Sequence, residues 1–209
     1  MAKLILVRHG ITDWNKEGKW HGQSNISINE EGKKQAEESA EAIKDIPIDK
    51  VYTSTLIRTK ETYRVIKNAL HLNVPEEEVE ALNERDYGIY TGQNKWKVKE
   101  KLGEEEFNHL RRDWDYPIPN GESLKDVYLR VLPFYKETLL PELKTGKNVL
   151  LVSSGNTLRA LTKELDNLTG EQISQLELNF GEVDVYTFND EGNITQKERR
   201  VTNLYTGKH

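Results

Sequence analysis

The sequence predicts a three-layer α/β sandwich with a mostly parallel central sheet, and three observations carry that prediction. Short, unbroken apolar runs at 4–7 and 149–152 read as strands buried on both faces. Between the short runs lie longer segments whose apolar residues recur at helical spacing, the alternation expected of strands covered by helices on either side. The first run ends abruptly in Arg8-His9-Gly10, which places polar side chains where open α/β sheets bind ligands, at the carboxyl ends of their strands.

Each element follows in order. Gly10 is expected to let the chain leave the first strand at an angle barred to residues with a Cβ. Asn29 is a helix N-cap, and 29–44 carries Ala36, Ala40 and Ile43 on one face. A short strand is expected at 50–54, then a helix over 56–70 with Thr59, Tyr63, Ile66 and Leu70 in register. The stretch 84–92 has two glycines and no period, so it reads as loop. Helical stretches follow near 95–101 and 104–114 before Pro117, Pro119 and Gly121 break the chain. Ser123 and Asp126 open a long helix to about residue 143, with Leu124, Val127, Val131, Tyr135 and Leu139 inward. After the 149–152 strand comes a helix at 156–168, and 183–188 and 194–199 flank a turn as a hairpin or bent edge pair.

Composition narrows the function. The 209 residues are expected to form a single domain, with no composition shift, repeat or low-complexity tract to divide them. With 30 basic against 35 acidic residues the net charge is −5, which argues against nucleic acid or an anionic membrane as partner. The pairs Arg111-Arg112 and Arg199-Arg200 and the run 95–101 are local, and a solvated face is the ordinary reading of each. There is no cysteine, no membrane-length apolar stretch and no signal-peptide core, so a cytoplasmic protein is expected. No histidine pair has metal-ligand spacing and no Walker-type glycine loop is present, so neither a metal site nor nucleotide hydrolysis is expected.

The chemistry concentrates on Arg8 and His9. A guanidinium can grip phosphate oxygens in bidentate fashion, and its charge keeps a neighbouring imidazole neutral and nucleophilic. The stretch LVRHGITDWN resembles the signature of the histidine phosphatase superfamily, whose best-known branch is the cofactor-dependent phosphoglycerate mutases. The resemblance runs over nearly the whole chain. Ser54-Thr55-Leu56-Ile57-Arg58 matches the segment that brings a second arginine to the phosphate, and Leu82 to Gly88 matches the acid/base loop, with Glu84 as the proton-transfer carboxylate. Lys95 with Arg111 and Arg112 matches the elements that hold the distal anion in the mutase branch, on a helical insertion over 87–121 that covers the sheet's C-terminal edge. Thr12, Asn15, His21, Gly22, Tyr87, Gly155 and Asn156 fall in the same motifs and are expected to bind substrate.

Two departures stand out. Where the family has a second histidine after the central strand, this chain reads Val152-Ser153-Ser154-Gly155-Asn156, so Ser154 takes the histidine's place. His21 stands where the family has a hydroxyl or amide residue; it could swing toward the phosphate, although its loop is expected on the substrate side. His71, His109 and His209 match nothing in the motif set and read as surface residues.

The resemblance implies interconversion of 3-phosphoglycerate and 2-phosphoglycerate through a phosphohistidine on His9. Arg8, Arg58, Glu84 and Ser154 would complete the catalytic group, and 2,3-bisphosphoglycerate would be the priming phosphoryl donor without a metal. Ser154 implies slower transfer, because losing one preorganised donor costs roughly 10²–10³ in rate. Two alternatives stay open: a phosphomonoesterase of the same superfamily, and a catalytically weak protein that binds phosphorylated metabolites or a partner. The expected partner is a small phosphorylated metabolite, and a homo-oligomer is compatible with the sequence.

Overall fold

The computed structural model describes residues 1–200. Its six-stranded sheet has the order β3-β2-β4-β1-β5-β6, built from β1 (Ala2–Arg8), β2 (Lys50–Thr53), β3 (Glu76–Glu78), β4 (Val149–Ser153), β5 (Val183–Phe188) and β6 (Ile194–Arg200). The strands β3, β2, β4 and β1 run parallel, while β5 and β6 return antiparallel beside β1. The expected sandwich with a mostly parallel sheet is therefore what forms.

Side-chain alternation along the strands sorts the core into two layers. Ile5, Val7, Leu150 and Val152 face α2 (Glu30–Ile43) and α3 (Ile57–Ala69), which cover them with Ala36, Ala40, Ile43, Tyr63 and Ile66. Leu4, Leu6, Val149 and Leu151 face the opposite way, against Leu124, Val127 and Val131 of α6 (Leu124–Phe134) and Leu158 and Leu161 of α8 (Gly155–Leu165). The predicted inner faces are all buried apart from Leu70, which is half-buried. The caps are also as expected. The Asn29 side chain accepts from the Gly32 amide, and Ser123 and Asp126 close a reciprocal capping box.

The long helix after Ser123 is one continuous rod in three parts: α6, a π-helical turn (Tyr135–Leu139) and α7 (Leu140–Lys144). Pro133 and Pro141 each lack the amide that an α-helix would use, and the wider turn lies between them. Five short elements were not foreseen: β3, α1 (Asp13–Lys16), α9 (Gly170–Gln175) and 3₁₀ turns at Glu80–Leu82 and at Gly88–Tyr90, the last inside the stretch read as loop. β3 consists of three exposed glutamates, so it carries no hydrophobic signal, and its charges blunt the sheet's outer edge.

Two expectations need correction. Gly10 does not adopt a positive φ. Glycine is needed there because a Cβ would stand 2.2 Å from the Gly32 carbonyl oxygen, where the exit of β1 meets the start of α2. Arg199 is not on a merely solvated face: it binds Asp184 across the β5–β6 hairpin through two bonds of 2.8 and 3.0 Å, and Asp184 is buried.

The segment 87–121 supplies α4 (Lys95–Leu102) and α5 (Glu104–Arg112), which form a small core of their own from Val98, Phe107, Leu110 and Ile118 with Trp20 and Tyr87. That core seats the covering segment on the loop leaving β1. His71 is exposed, His109 is half-buried and bonded to Asp113, and His209 lies outside the described residues.

Candidate active site

Parallel strands that end together bring together residues distant in sequence. Arg8 is the last residue of β1 and pairs in register with Ser153 of β4, and the His9 amide donates to the Ser153 carbonyl at 3.0 Å. Arg58 projects from the first turn of α3, just after β2, and Glu84 follows a 3₁₀ turn beyond β3. A cavity of about 140 Å³ opens at this edge. Arg8, His9, Asn15, His21, Arg58 and Glu84 line it from the sheet side, Tyr87, Lys95, Arg111 and Arg112 from the covering side, and Gly155 and Asn156 from the start of α8.

The His9 ring is fixed and oriented. Its Nδ1–H donates to the Gly10 carbonyl at 2.8 Å, so the lone pair of a neutral ring lies on Nε2. Burial, then the charges of Arg58 and Arg8, hold its pKa well below the usual histidine value, so it stays neutral. A neutral, anchored imidazole with a free Nε2 is a nucleophile by construction.

The arginines are held by backbone carbonyls rather than by carboxylates, which leaves their charge uncancelled. Arg58 is fully buried and donates to the Ser24 and Gly22 carbonyls at 2.9 and 3.0 Å. Its Nε and that of Arg8 are buried without a protein partner. Arg8 donates to the Leu178 carbonyl and lies 3.7 Å from the Phe180 ring centroid, a cation–π contact. Burial lowers the pKa of Arg58 to about 10, so it remains charged at neutral pH. The Glu84 carboxylate is oriented by the Arg85 amide, which donates to it at 2.6 Å.

On the covering side, burial and then the charges of Arg111 and Arg8 bring the pKa of the Lys95 ammonium down to about 8. Arg112 forms an ion pair with Glu177, on the segment between α9 and β5. The Asn156 amide donates to the Tyr87 hydroxyl at 2.9 Å and its carbonyl accepts from Arg159 at 3.0 Å, a chain that ties α8 to the covering segment.

Three expected site residues stand behind the cavity wall. Thr12 is buried and caps α1. Gly22 serves through its carbonyl, which binds Arg58. Ser154 is fully buried, and its Oγ has no hydrogen-bond partner. A serine is too short to reach the cavity from the position that the family fills with histidine. Lys19, Trp20, Arg159, Leu176, Glu177 and Leu178 also line the cavity and had been given no site role from the sequence. Arg159 matches the arginine that follows the asparagine in the family segment after β4, and three residues beyond Asn156 it shares that helix face. Glu177 had no local signal; only the return of the chain toward β5 brings it here. Among the described residues, no group of three or more His, Cys, Asp or Glu could hold a metal ion, and no helix is long and apolar enough to cross a membrane.

Comparison with known proteins places this geometry in a family. A family model of the histidine phosphatase superfamily (branch 1) matches residues 4–199. The chain belongs to the histidine phosphatase superfamily. Among curated relatives, this chain is 41% identical over 201 residues to a protein of Parvibaculum lavamentivorans named 2,3-bisphosphoglycerate-dependent phosphoglycerate mutase, covering 95% of this chain and 96% of that one. A Rhizobium meliloti protein of the same name is 40% identical, with 93% and 94% covered. Among solved structures, a mycobacterial glucosyl-3-phosphoglycerate phosphatase superposes with a TM-score of 0.81 at 23% identity, covering 96% of this chain and 98% of that one; it shares the fold.

Proposed function

We propose that this protein is a 2,3-bisphosphoglycerate-dependent phosphoglycerate mutase that works through a phosphohistidine on His9. The observation that carries the reading is one small cavity lined by two groups of cations: Arg8 and Arg58 at the strand ends beside a free His9 Nε2, and Lys95, Arg111 and Arg112 on the covering segment. Transfer of a phosphoryl group from a simple ester needs only the first group. A small substrate with a second anionic group, held while its phosphoryl is exchanged, uses both. The name shared by the relatives at about 40% identity points the same way.

In this reading His9 Nε2 attacks phosphorus in line with the leaving oxygen, so that the N–P bond forms as the P–O bond breaks. Arg8 and Arg58 hold the equatorial oxygens where negative charge accumulates. Glu84 in its acid form passes its proton to the leaving oxygen and recovers one from the hydroxyl that later attacks the phosphohistidine. Bisphosphoglycerate supplies the first phosphoryl group, and no metal takes part. With Ser154 lacking a polar contact to the cavity, transfer proceeds below the rate of a site with two histidines.

The test is conversion of 3-phosphoglycerate to 2-phosphoglycerate with and without bisphosphoglycerate, with free phosphate measured in parallel. Conversion that depends on bisphosphoglycerate and releases little phosphate supports the mutase. Rapid phosphate release from many esters would establish a phosphomonoesterase instead. Neither activity, with phosphoglycerate still bound, would mark a binding protein. Ser154→His is expected to raise mutase turnover, by as much as about 1,000-fold where no other side chain donates in the histidine's place.

A further inference from the structure

We propose that His21 supplies to the transferring phosphoryl group the imidazole hydrogen bond that Ser154 cannot, which makes it a catalytic residue in this chain. The inference rests on the reading of His9 as phosphoryl acceptor. Two observations meet in it: the position after β4 offers only a buried hydroxyl with no partner, and a second imidazole stands in the cavity from another direction. The His21 ring centroid is 6.3 Å from that of His9, with the planes tilted by 55°. A phosphoryl group on His9 Nε2 enters the cavity whose wall His21 forms.

The ring is positioned rather than loose. The Thr12 hydroxyl contacts His21 Nε2 at 2.5 Å, Trp14 packs at 5.7 Å between centroids, and the Ser24 amide donates to the His21 carbonyl at 3.0 Å. The Thr12 hydroxyl proton has two acceptors in reach, His21 Nε2 and Asn15 Oδ1 at 3.0 Å. When it goes to Nε2 instead of Asn15 Oδ1, which still accepts from the Thr12 amide at 3.1 Å, the proton of a neutral His21 ring lies on Nδ1, which makes no hydrogen bond among the described residues. Nδ1–H is then the donor offered to a phosphoryl oxygen, and it needs no proton transfer to act. Burial and the charges of Arg58, Lys95 and Arg8 keep the ring neutral in the empty site. An entering dianion offsets those charges and strengthens the same hydrogen bond.

A ring that only packs the wall would affect binding of the donor more than the step itself. A ring that donates to the moving group acts on the rate at saturation, and its role shrinks once a histidine returns to position 154. Rapid-quench labelling of His9 from saturating phosphoryl-labelled 2,3-bisphosphoglycerate reads that rate. His21→Leu is expected to slow labelling by about 10- to 100-fold, and by less than about threefold in the Ser154→His background. His21→Gln keeps a neutral donor and should fall between the two.

Equal fold losses in both backgrounds, or a change confined to the half-saturating donor concentration, would overturn the proposal. Activity of the double variant shows that the scaffold accepts leucine, so a single variant that is slow but folded is informative. If the unaltered chain takes no label while Ser154→His does, His21 does not do this work and the mutase chemistry of the scaffold stands. If neither takes label, His9 is not the acceptor, and it is the mutase reading that falls.

Discussion

The two ends of the cavity are built by different means. The phosphate end is part of the sheet: Arg8 closes β1, Arg58 lies in the first turn of α3, Arg58 is fully buried and Arg8 half-buried, and backbone carbonyls hold them in place. The distal end is carried on the covering segment. Arg111 and Arg112 close α5, Lys95 opens α4, and Arg112 is already engaged by a partly exposed glutamate. A donor fixed before the reaction needs no reorganisation when charge moves, which is the property a transition state exploits. A donor that exchanges Glu177 for a ligand suits binding and release. The contrast predicts that the near end governs rate and the far end governs which substrate is held.

Arg58 gives the largest expected effect. Arg58→Met removes a buried guanidinium from the attacked phosphate and should lower the phosphoryl-transfer rate by about 10²–10³-fold, for aryl phosphate as well as for phosphoglycerate. The Ser24 and Gly22 carbonyls lose their donor too, so the loop before α2 should gain in hydrogen exchange. A variant that lost phosphoglycerate turnover but kept aryl phosphate turnover would erase the distinction between the ends.

Next in size is the distal pair. Changing Arg111 and Arg112 to glutamine together should raise KM for phosphoglycerate by about 10- to 100-fold, on the scale of one or two charge-assisted hydrogen bonds. KM for an aryl phosphate should move by less than about threefold, since that ester has nothing to place there. Equal losses for both substrates would show that the pair shapes the cavity rather than reading a second anion.

The same division explains what the sequence made legible. Arg8 and His9 follow from local pattern, an apolar run and its abrupt end, whereas Arg58 and Glu84, in a helix's first turn and a loop without period, were legible only through the family resemblance. α2, α3, α6 and α8 were readable because each buries one stripe against the sheet. Ser154 was placed correctly in the chain, but its retreat behind the wall is a matter of side-chain length and packing. Glu177 and Leu178 reach Arg112 and Arg8 through a segment without period, so only tertiary structure reveals them. Gly10 shows the same limit from the other side. The residue was correctly singled out, but the reason lay in Gly32, which the local sequence does not mention.

The smallest effect, and the one that separates the ends most cleanly by pH, belongs to Lys95. Its pKa, brought down to about 8 by burial and by Arg111 and Arg8, makes it the distal group that loses its charge just above neutrality. Arg58, at about 10, keeps its charge through the same window. Below pH 8 the distal end holds its full charge in the free protein. Above pH 8 Lys95 becomes neutral, and an anion bound there loses one attraction, so affinity falls as pH rises. A bound anion favours the charged form, so binding near pH 8.5 should take up a fraction of a proton. KM for phosphoglycerate should therefore climb between pH 7.5 and 9, above the range where a phosphate monoester itself titrates near pH 6. The rise should level off at about fivefold, the worth of roughly 1 kcal/mol for one partly screened charge. KM for an aryl phosphate should stay flat over that range. Lys95→Gln should remove the pH dependence and sit at the high-pH level throughout. A rise that persisted in Lys95→Gln would place the titrating group elsewhere, and an equal rise for the aryl phosphate would place it at the phosphate end.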